Sequence, residues 1–218
     1  MATVIDEAAP ASAAETRPEA TAPSVYLNPP QGQWTIADWV ALPDDAPRCE
    51  LVEGCLELLP VPTNFHHDIQ DALIFLLMLH LGPTRASTSG RKIETVSDGG
   101  RVVDVMAYKQ APVNDPASQL AATPDLAIEV TSPGKKQRSR DYVEKRSEYA
   151  RVGIGEYWIV DTDELTVTVL SLDTAEDGYA EVGRFGRGDL IDSPMFPDLK
   201  IAVDQVFGGG SRDVAERS

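Results

Sequence analysis

Positive charge is scarce in this 218-residue chain: 19 Lys and Arg stand against 35 Asp and Glu, a formal net charge of −16. A field of that sign repels phosphate at long range. It counts against a nucleic-acid partner unless a local basic patch or a bound metal offsets it. Cysteine is scarcer still. Cys49 and Cys55 stand without a CxxC or Cys/His spacing, which argues against a zinc site and fits reduced thiols in a cytoplasmic protein. No basic segment leading into an apolar core opens the chain, so no signal peptide is expected. Long apolar runs are missing too. The longest, Ala72–Leu81, is too short for a bilayer and is broken by His80, so no membrane partner is expected. There is no internal repeat, and no helix-turn-helix or zinc-finger reader from which a recognition sequence follows.

What remains is ordinary globular material, 42% hydrophobic and 25% charged, with length for one domain and a sizeable core. Residues 1–24, rich in Ala, Pro, Thr and Glu, read as a disordered tail, and 208–218, opening on glycines, as a flexible one. The domain is expected over 25–207. Thr35-Ile36-Ala37-Asp38 resembles a capping box that opens a short helix through Trp39 and Val40. Arg48 to Leu59, alternating on both sides of Gly54, predicts a tight hairpin.

Ile69, Ala72, Leu73, Leu76, Leu77 and Leu81 recur at helical spacing, so 66–81 reads as a helix ended by Gly82-Pro83. Strands are expected at 91–96 and 101–108, with a Pro-rich loop at 110–123. Further on, Ser139 is the expected N-cap of a helix over 140–152. Strands follow at 156–160 and 165–170, then short β pieces between 178 and 206. This order gives an α/β domain, a mixed sheet with helices on its faces.

The stretch from Pro124 to Asp161 organises the chain. The apolar run Leu126–Val130 is interrupted by one carboxylate, Glu129, which is costly in a buried strand unless it is paired, hydrogen-bonded or metal-bound. Asp104 lies in an earlier predicted strand, between Val103 and Val105. Two carboxylates on adjacent strands can hold a divalent cation through oxygen ligands. Such an ion polarises a phosphodiester and lowers the pKa of an attacking water, and a nearby ammonium group helps.

Several segments together resemble the Uma-two family of restriction endonucleases, a branch of the PD-(D/E)xK nuclease superfamily. They are Cys49 to Gly54, His66 with Ile69, Val103-Asp104-Val105 and Pro124 to Pro133, followed by Asp141, Lys145, Tyr149, Gly153 and Glu156-Tyr157-Trp158. The resemblance spans roughly 34–172. It implies a restriction-endonuclease-like fold, Mg²⁺ dependence (with Mn²⁺ as an alternative), a DNA substrate and a hydrolase. Asp104 matches the first metal-binding Asp and Glu129 the second carboxylate. The superfamily's Pro before the Asp is Val103 here, and its Lys two residues past the Glu is Thr131. Members of the family carry a Lys on the following helix, which matches Lys145. Glu50 matches an acidic residue near the first hairpin and is a candidate third metal ligand. A homodimer is an expectation of the same kind, since cutting both strands suits two sites on a two-fold axis.

Blander readings stand beside these. Asp104 can be a solvated strand residue, and Glu129 can pair with a buried cation. Asp141 and Lys145, four apart on a helix, make an ordinary surface pair. Glu53 and Glu57 compete with Glu50. His66 and His67 read as capping or packing residues, and Tyr149, Tyr157 and Trp158 as core. The one dense basic cluster, Lys135, Lys136, Arg138 and Arg140, is either a solvated face or a phosphate-facing patch. A nuclease-fold module without catalysis, used for protein or nucleic-acid interaction, is the alternative to the enzyme.

Overall fold

Thr35 opens the first helix, α1 (Ile36–Val40). Its hydroxyl accepts from the Asp38 amide at 3.2 Å and the Asp38 carboxylate accepts from the Thr35 amide at 3.0 Å, the expected capping box. The computed structural model describes residues 28–87, 90–96, 98–113, 115–131, 138–173 and 178–208. The tails expected at 1–24 and past Gly208, and Lys135 and Lys136 of the basic cluster, lie outside the described residues.

The predicted hairpin is formed by β1 (Cys49–Val52) and β2 (Cys55–Leu58), joined by Glu53 and Gly54, both at positive φ. That pair of left-handed residues matches the right-handed twist of the flanking strands. The hairpin joins β5 (Gly100–Val103) and β4 (Arg91–Glu94) in a four-stranded sheet of order β2-β1-β5-β4. Trp39 of α1 packs on this sheet so closely that a Cβ on Gly100 would lie 2.2 Å from its ring. Its indole donates to the Cys49 carbonyl at 3.0 Å.

A second sheet has six strands in the order β10-β9-β8-β7-β6-β3. These are β3 (Ala86–Ser87), β6 (Val105–Ala107), β7 (Leu126–Val130), β8 (Glu156–Asp161), β9 (Thr166–Asp173) and β10 (Gly178–Phe185). Only β7 and β8 are parallel, as expected for strands joined by a helical crossover. The long helix α2 (Asn64–Leu81, capped by Thr63) starts two residues before the predicted helix and covers one face. Ile69, Leu73 and Leu77 pack there against Leu126, Ile128, Val130, Trp158 and Val160. Ala127, Tyr157 and Ile159 point to the other face and meet Tyr149 and Ile154. By the same alternation Glu129 belongs to that second face.

On that face the chain makes a π-helical turn, Arg140–Glu144, which runs into an α-helix, Lys145–Arg151 (together α3). Ser139 is not the N-cap: it is already helical and its side chain caps nothing. The C-terminal region holds one long edge strand, β10, a small pair β11 (Leu190–Ile191) and β12 (Ile201–Ala202), and a short helix α4 (Val203–Val206). No helix among the described residues is long and apolar enough to cross a membrane.

The run predicted as one strand over 101–108 is two. β5 ends at Val103, β6 begins at Val105, and they belong to different sheets. Asp104 is the residue at which the chain changes sheet.

Candidate active site

Glu129 sits in a strand buried along its whole length, and its two oxygens are taken by one helix. Lys145 Nζ donates to Oε2 at 2.8 Å and Tyr149 Oη to Oε1 at 2.6 Å. Lys145 and Tyr149 are four apart on α3, with Asp141 four before, so one stripe of the helix faces the sheet. The surface-pair reading of Asp141 and Lys145 is therefore overturned, since each is 1% exposed. A stripe of Asp, Lys and Tyr has no hydrophobic periodicity to betray that it is buried. Tyr149, read as core, is also a positioning group for Glu129.

Asp104 is held from two other elements. Its Oδ2 accepts from the Val130 amide at 2.9 Å and its Oδ1 from Gln70 Nε2 of α2 at 2.7 Å. His66 Nε2 lies 3.4 Å from the same Oδ1. The other ring nitrogen of His66, Nδ1, is buried and has no protein partner among the described residues. Gln70 was not foreseen. It stands four after His66, on the face of α2 that carries the core leucines.

Glu50, on β1, is fully buried and bonded on both oxygens. Arg101 Nη1 donates to Oε2 at 2.9 Å, while the Val102 amide at 3.2 Å and Lys145 Nζ at 3.0 Å meet Oε1. Arg101 in turn forks onto Glu148 of α3, at 2.8 and 2.6 Å. Thus Glu50, Arg101 and Glu148 tie the small sheet to α3, and the four predicted site residues converge around the Lys145 ammonium. Glu53 and Glu57 do not join them. Thr131 contributes no cation. It is buried, and its carbonyl accepts from the Thr162 hydroxyl.

Glu50, Asp104, Glu129, Arg140 and Lys145 line a recess of about 30 Å³, roughly the share of one water molecule. Of the basic cluster, Arg140 reaches this recess, whereas Arg138 turns away to pair with Asp161 and Glu164.

The electrostatics follow from one ammonium among several carboxylates. Burial raises the Glu129 pKa, and Asp104, Asp141 and Glu50 raise it further against Lys145, to about 8. Burial also opposes the charge on Glu50, but Lys145 and Arg101 outweigh it and bring its pKa down to about 2. Asp104 is lowered despite burial, chiefly by His66, and Asp141 is raised by burial. On Lys145 burial acts downward, yet Glu129, Glu50 and Asp141 hold the ammonium above its ordinary range. The metal-free site carries surplus negative charge, and Glu129 takes up the proton that relieves it.

A pH dependence follows. Glu129 titrates near 4.5 when unfolded and about 8 when folded, so between those values the folded state binds the extra proton. Its contribution to stability therefore falls as pH rises through that window. Metal-free protein should lose stability relative to Glu129→Gln between pH 5 and pH 8 in urea unfolding. A pH-independent difference between the two would contradict this electrostatic picture.

The donor set suits a hard divalent cation: carboxylate oxygens with lone pairs to spare, around a water-sized space with negative charge in excess. Among the described residues no three His, Cys, Asp or Glu side chains form a ready-made cage. Mg²⁺ does not require one, because it keeps several waters and takes one or two carboxylates plus substrate phosphate oxygens.

The family model Uma2, described as "Putative restriction endonuclease", matches residues 36–204. A solved structure titled a "putative nuclease belonging to DUF820", from Anabaena variabilis, matches with a TM-score of 0.62 at 20% identity. It covers 79% of this chain and 97% of that one. At that identity the likeness establishes the fold alone, a mixed α/β fold shared with that protein. No curated protein matches this chain in sequence.

Proposed function

This chain belongs to the Uma2 family, and on that premise we propose that it is a Mg²⁺-dependent endonuclease that hydrolyses phosphodiester bonds of DNA, with Mn²⁺ as a substitute. The observation that carries the reading is the recess itself. Asp104, at the junction where the chain passes from β5 to β6, and Glu129, in β7, line the same water-sized space as the Lys145 ammonium.

In this reading Asp104 and Glu129 hold the ion. When bound, the ion polarises the phosphoryl oxygen and lowers the pKa of a water. Lys145 points its ammonium at the same space and steadies the attacking water or the phosphate. Gln70 and the Val130 amide fix Asp104, and Tyr149 fixes Glu129, so the carboxylates are pre-oriented. Arg140 stands at the recess with its guanidinium available to a phosphate oxygen. Glu50 holds Arg101 and Lys145, and it joins the ligand shell only by giving up one of those bonds.

The test is nicking of supercoiled plasmid by the full chain. Relaxed circles should accumulate with Mg²⁺ or Mn²⁺ and stop on addition of a chelator. Equal cutting in chelator would remove the metal-dependent reading.

A second reading has one observation in its favour. Both oxygens of Glu129 are satisfied inside the protein, as they would be in a nuclease-fold module that binds without cutting. DNA binding without nicking, at every metal and sequence tried, would select it. A two-fold dimer belongs to the proposal as well, and a monomeric mass across working concentrations would count against it.

A further inference from the structure

We propose that His66 is a metal ligand, its imidazole joining Asp104 on the catalytic ion and tilting the site from Mg²⁺ toward first-row transition-metal ions, Mn²⁺ and more strongly Co²⁺. His66 in this role deepens the metal-dependent nuclease reading and rests on it for the presence of the ion.

The first turn of α2 carries the ring. Thr63 caps the helix and accepts from the His66 amide at 3.2 Å, which fixes the backbone there. His66 lies on the buried face of the helix with Ile69, Gln70 and Leu73. From that face it lines the catalytic recess together with Asp104, Glu129 and Lys145.

A histidine on an apolar helix face is ordinarily a packing residue, and its nitrogens then find protein partners. Those of His66 are poorly used. Nε2 stands 3.4 Å from Asp104 Oδ1, beyond the roughly 2.7–3.2 Å of a good N–H···O bond. The two atoms are still close enough for one ion, with bonds of about 2.0–2.2 Å, to touch both. Nδ1 is buried without a protein partner among the described residues, so no protein donor there holds the ring proton on Nε2. That proton is free to sit on Nδ1 and leave the Nε2 lone pair to the ion.

Burial is graded across the recess. Glu50, Lys145 and Glu129, at 0%, 1% and 2% exposed, form its floor, and His66 and Asp104, at 7% and 8%, its rim. A hydrated ion that has to meet a substrate phosphate belongs at the rim. With Glu129 the two make no ready-made cage, so water completes the shell. A neutral imidazole also adds a donor atom without a further negative charge beside Asp104 and Glu129. Its nitrogen sets the choice of ion: Mg²⁺ takes oxygen ligands, whereas affinity for a nitrogen-bearing site rises from Mn²⁺ to Co²⁺.

The experiment is electron spin-echo envelope modulation of Mn²⁺ bound to the untagged full chain, in wild type, His66→Gln and His80→Gln. The chain has three histidines. His80, near the far end of α2 and bonded to the Leu76 carbonyl at 2.8 Å, is the control. Glutamine at position 66 keeps a long polar side chain whose amide can still donate to Asp104, so a purely structural role survives it. Wild type should show coupling to a directly bound nitrogen that changes on ¹⁵N-histidine labelling. The coupling should vanish in His66→Gln and persist in His80→Gln. Co²⁺ affinity should fall at least about tenfold in His66→Gln, while Mg²⁺ affinity changes little, because an amide oxygen still suits Mg²⁺.

Saturable Mn²⁺ binding to wild type without nitrogen coupling overturns the proposal and leaves the Asp104–Glu129 site standing. Coupling that persists in His66→Gln overturns it as well, as does an equal loss of Co²⁺ and Mg²⁺ affinity. No saturable binding of any of the three ions removes the metal reading and this ligand together. Histidine coupling in a protein that never nicks plasmid keeps the ligand and removes the enzyme.

Discussion

Glu129→Gln should lower metal-dependent nicking by about a hundredfold to a thousandfold, the loss typical when a charged group aimed at the reacting centre is neutralised. The substitution is chosen for what it leaves intact. The amide oxygen can still accept from the Lys145 ammonium, 2.8 Å from Oε2, while its NH2 donates to the Tyr149 hydroxyl, 2.6 Å from Oε1, and Lys145 keeps Glu50 at 3.0 Å. The fold therefore has no reason to fail. Because a charge is removed from a site with surplus negative charge, the metal-free variant should gain stability on wild type as pH rises toward 8. A drop in activity with stability unchanged or raised separates a ligand to the ion from a structural carboxylate. Nicking that survives in Glu129→Gln would sink the site.

Lys145→Met carries the second large effect, and this one is on the fold. The ammonium is the shared partner of Glu50 and Glu129, both buried. Methionine fills much of the same volume but removes the one cation bonded to Glu129 and one of the two bonded to Glu50. Breaking a buried pair in this way costs about 3–5 kcal/mol, against a total stability on the order of 5–15 kcal/mol for a domain. The urea midpoint should fall steeply. A midpoint like that of wild type would mean that Lys145 is not the counter-ion of this cluster.

The parts of the fold that show in the sequence are those written in local chemistry. Thr35 with Asp38, Gly54 between alternating runs, and the leucine spacing of α2 each act within a few residues. The sheet change at Asp104 does not show. Valines flank it on both sides, so one apolar run, Val102 to Ala107, continues past a residue where hydrogen-bonding partners switch sheets. The burial of Asp141 and Lys145 is hidden for a related reason: a polar stripe is buried only because carboxylates from β1 and β7 come to meet it. Arg101 with Glu50 and Glu148, 51 and 47 residues apart, is a pairing that no short-range pattern can announce.

Glu156 shows the opposite case. It accompanies the site residues in the family pattern, yet its carboxylate accepts from Trp158, Ser193 and the Met195 amide and braces a loop away from the recess. Asp104 and Glu129 stood out in sequence because a carboxylate inside an apolar run needs a reason. Their protein partners are now specific: Gln70 and the Val130 amide for one, Lys145 and Tyr149 for the other.

If Asp104 and Glu129 together hold a divalent ion, a Mn²⁺ binding isotherm on wild type and Asp104→Asn shows it. Wild type should take up one ion in the millimolar range or tighter, with affinity rising from pH 6 to pH 8 as Glu129 gives up its proton. Asp104→Asn should bind at least about tenfold more weakly. Equal isotherms for the two proteins, or no saturable binding to wild type, would contradict the account.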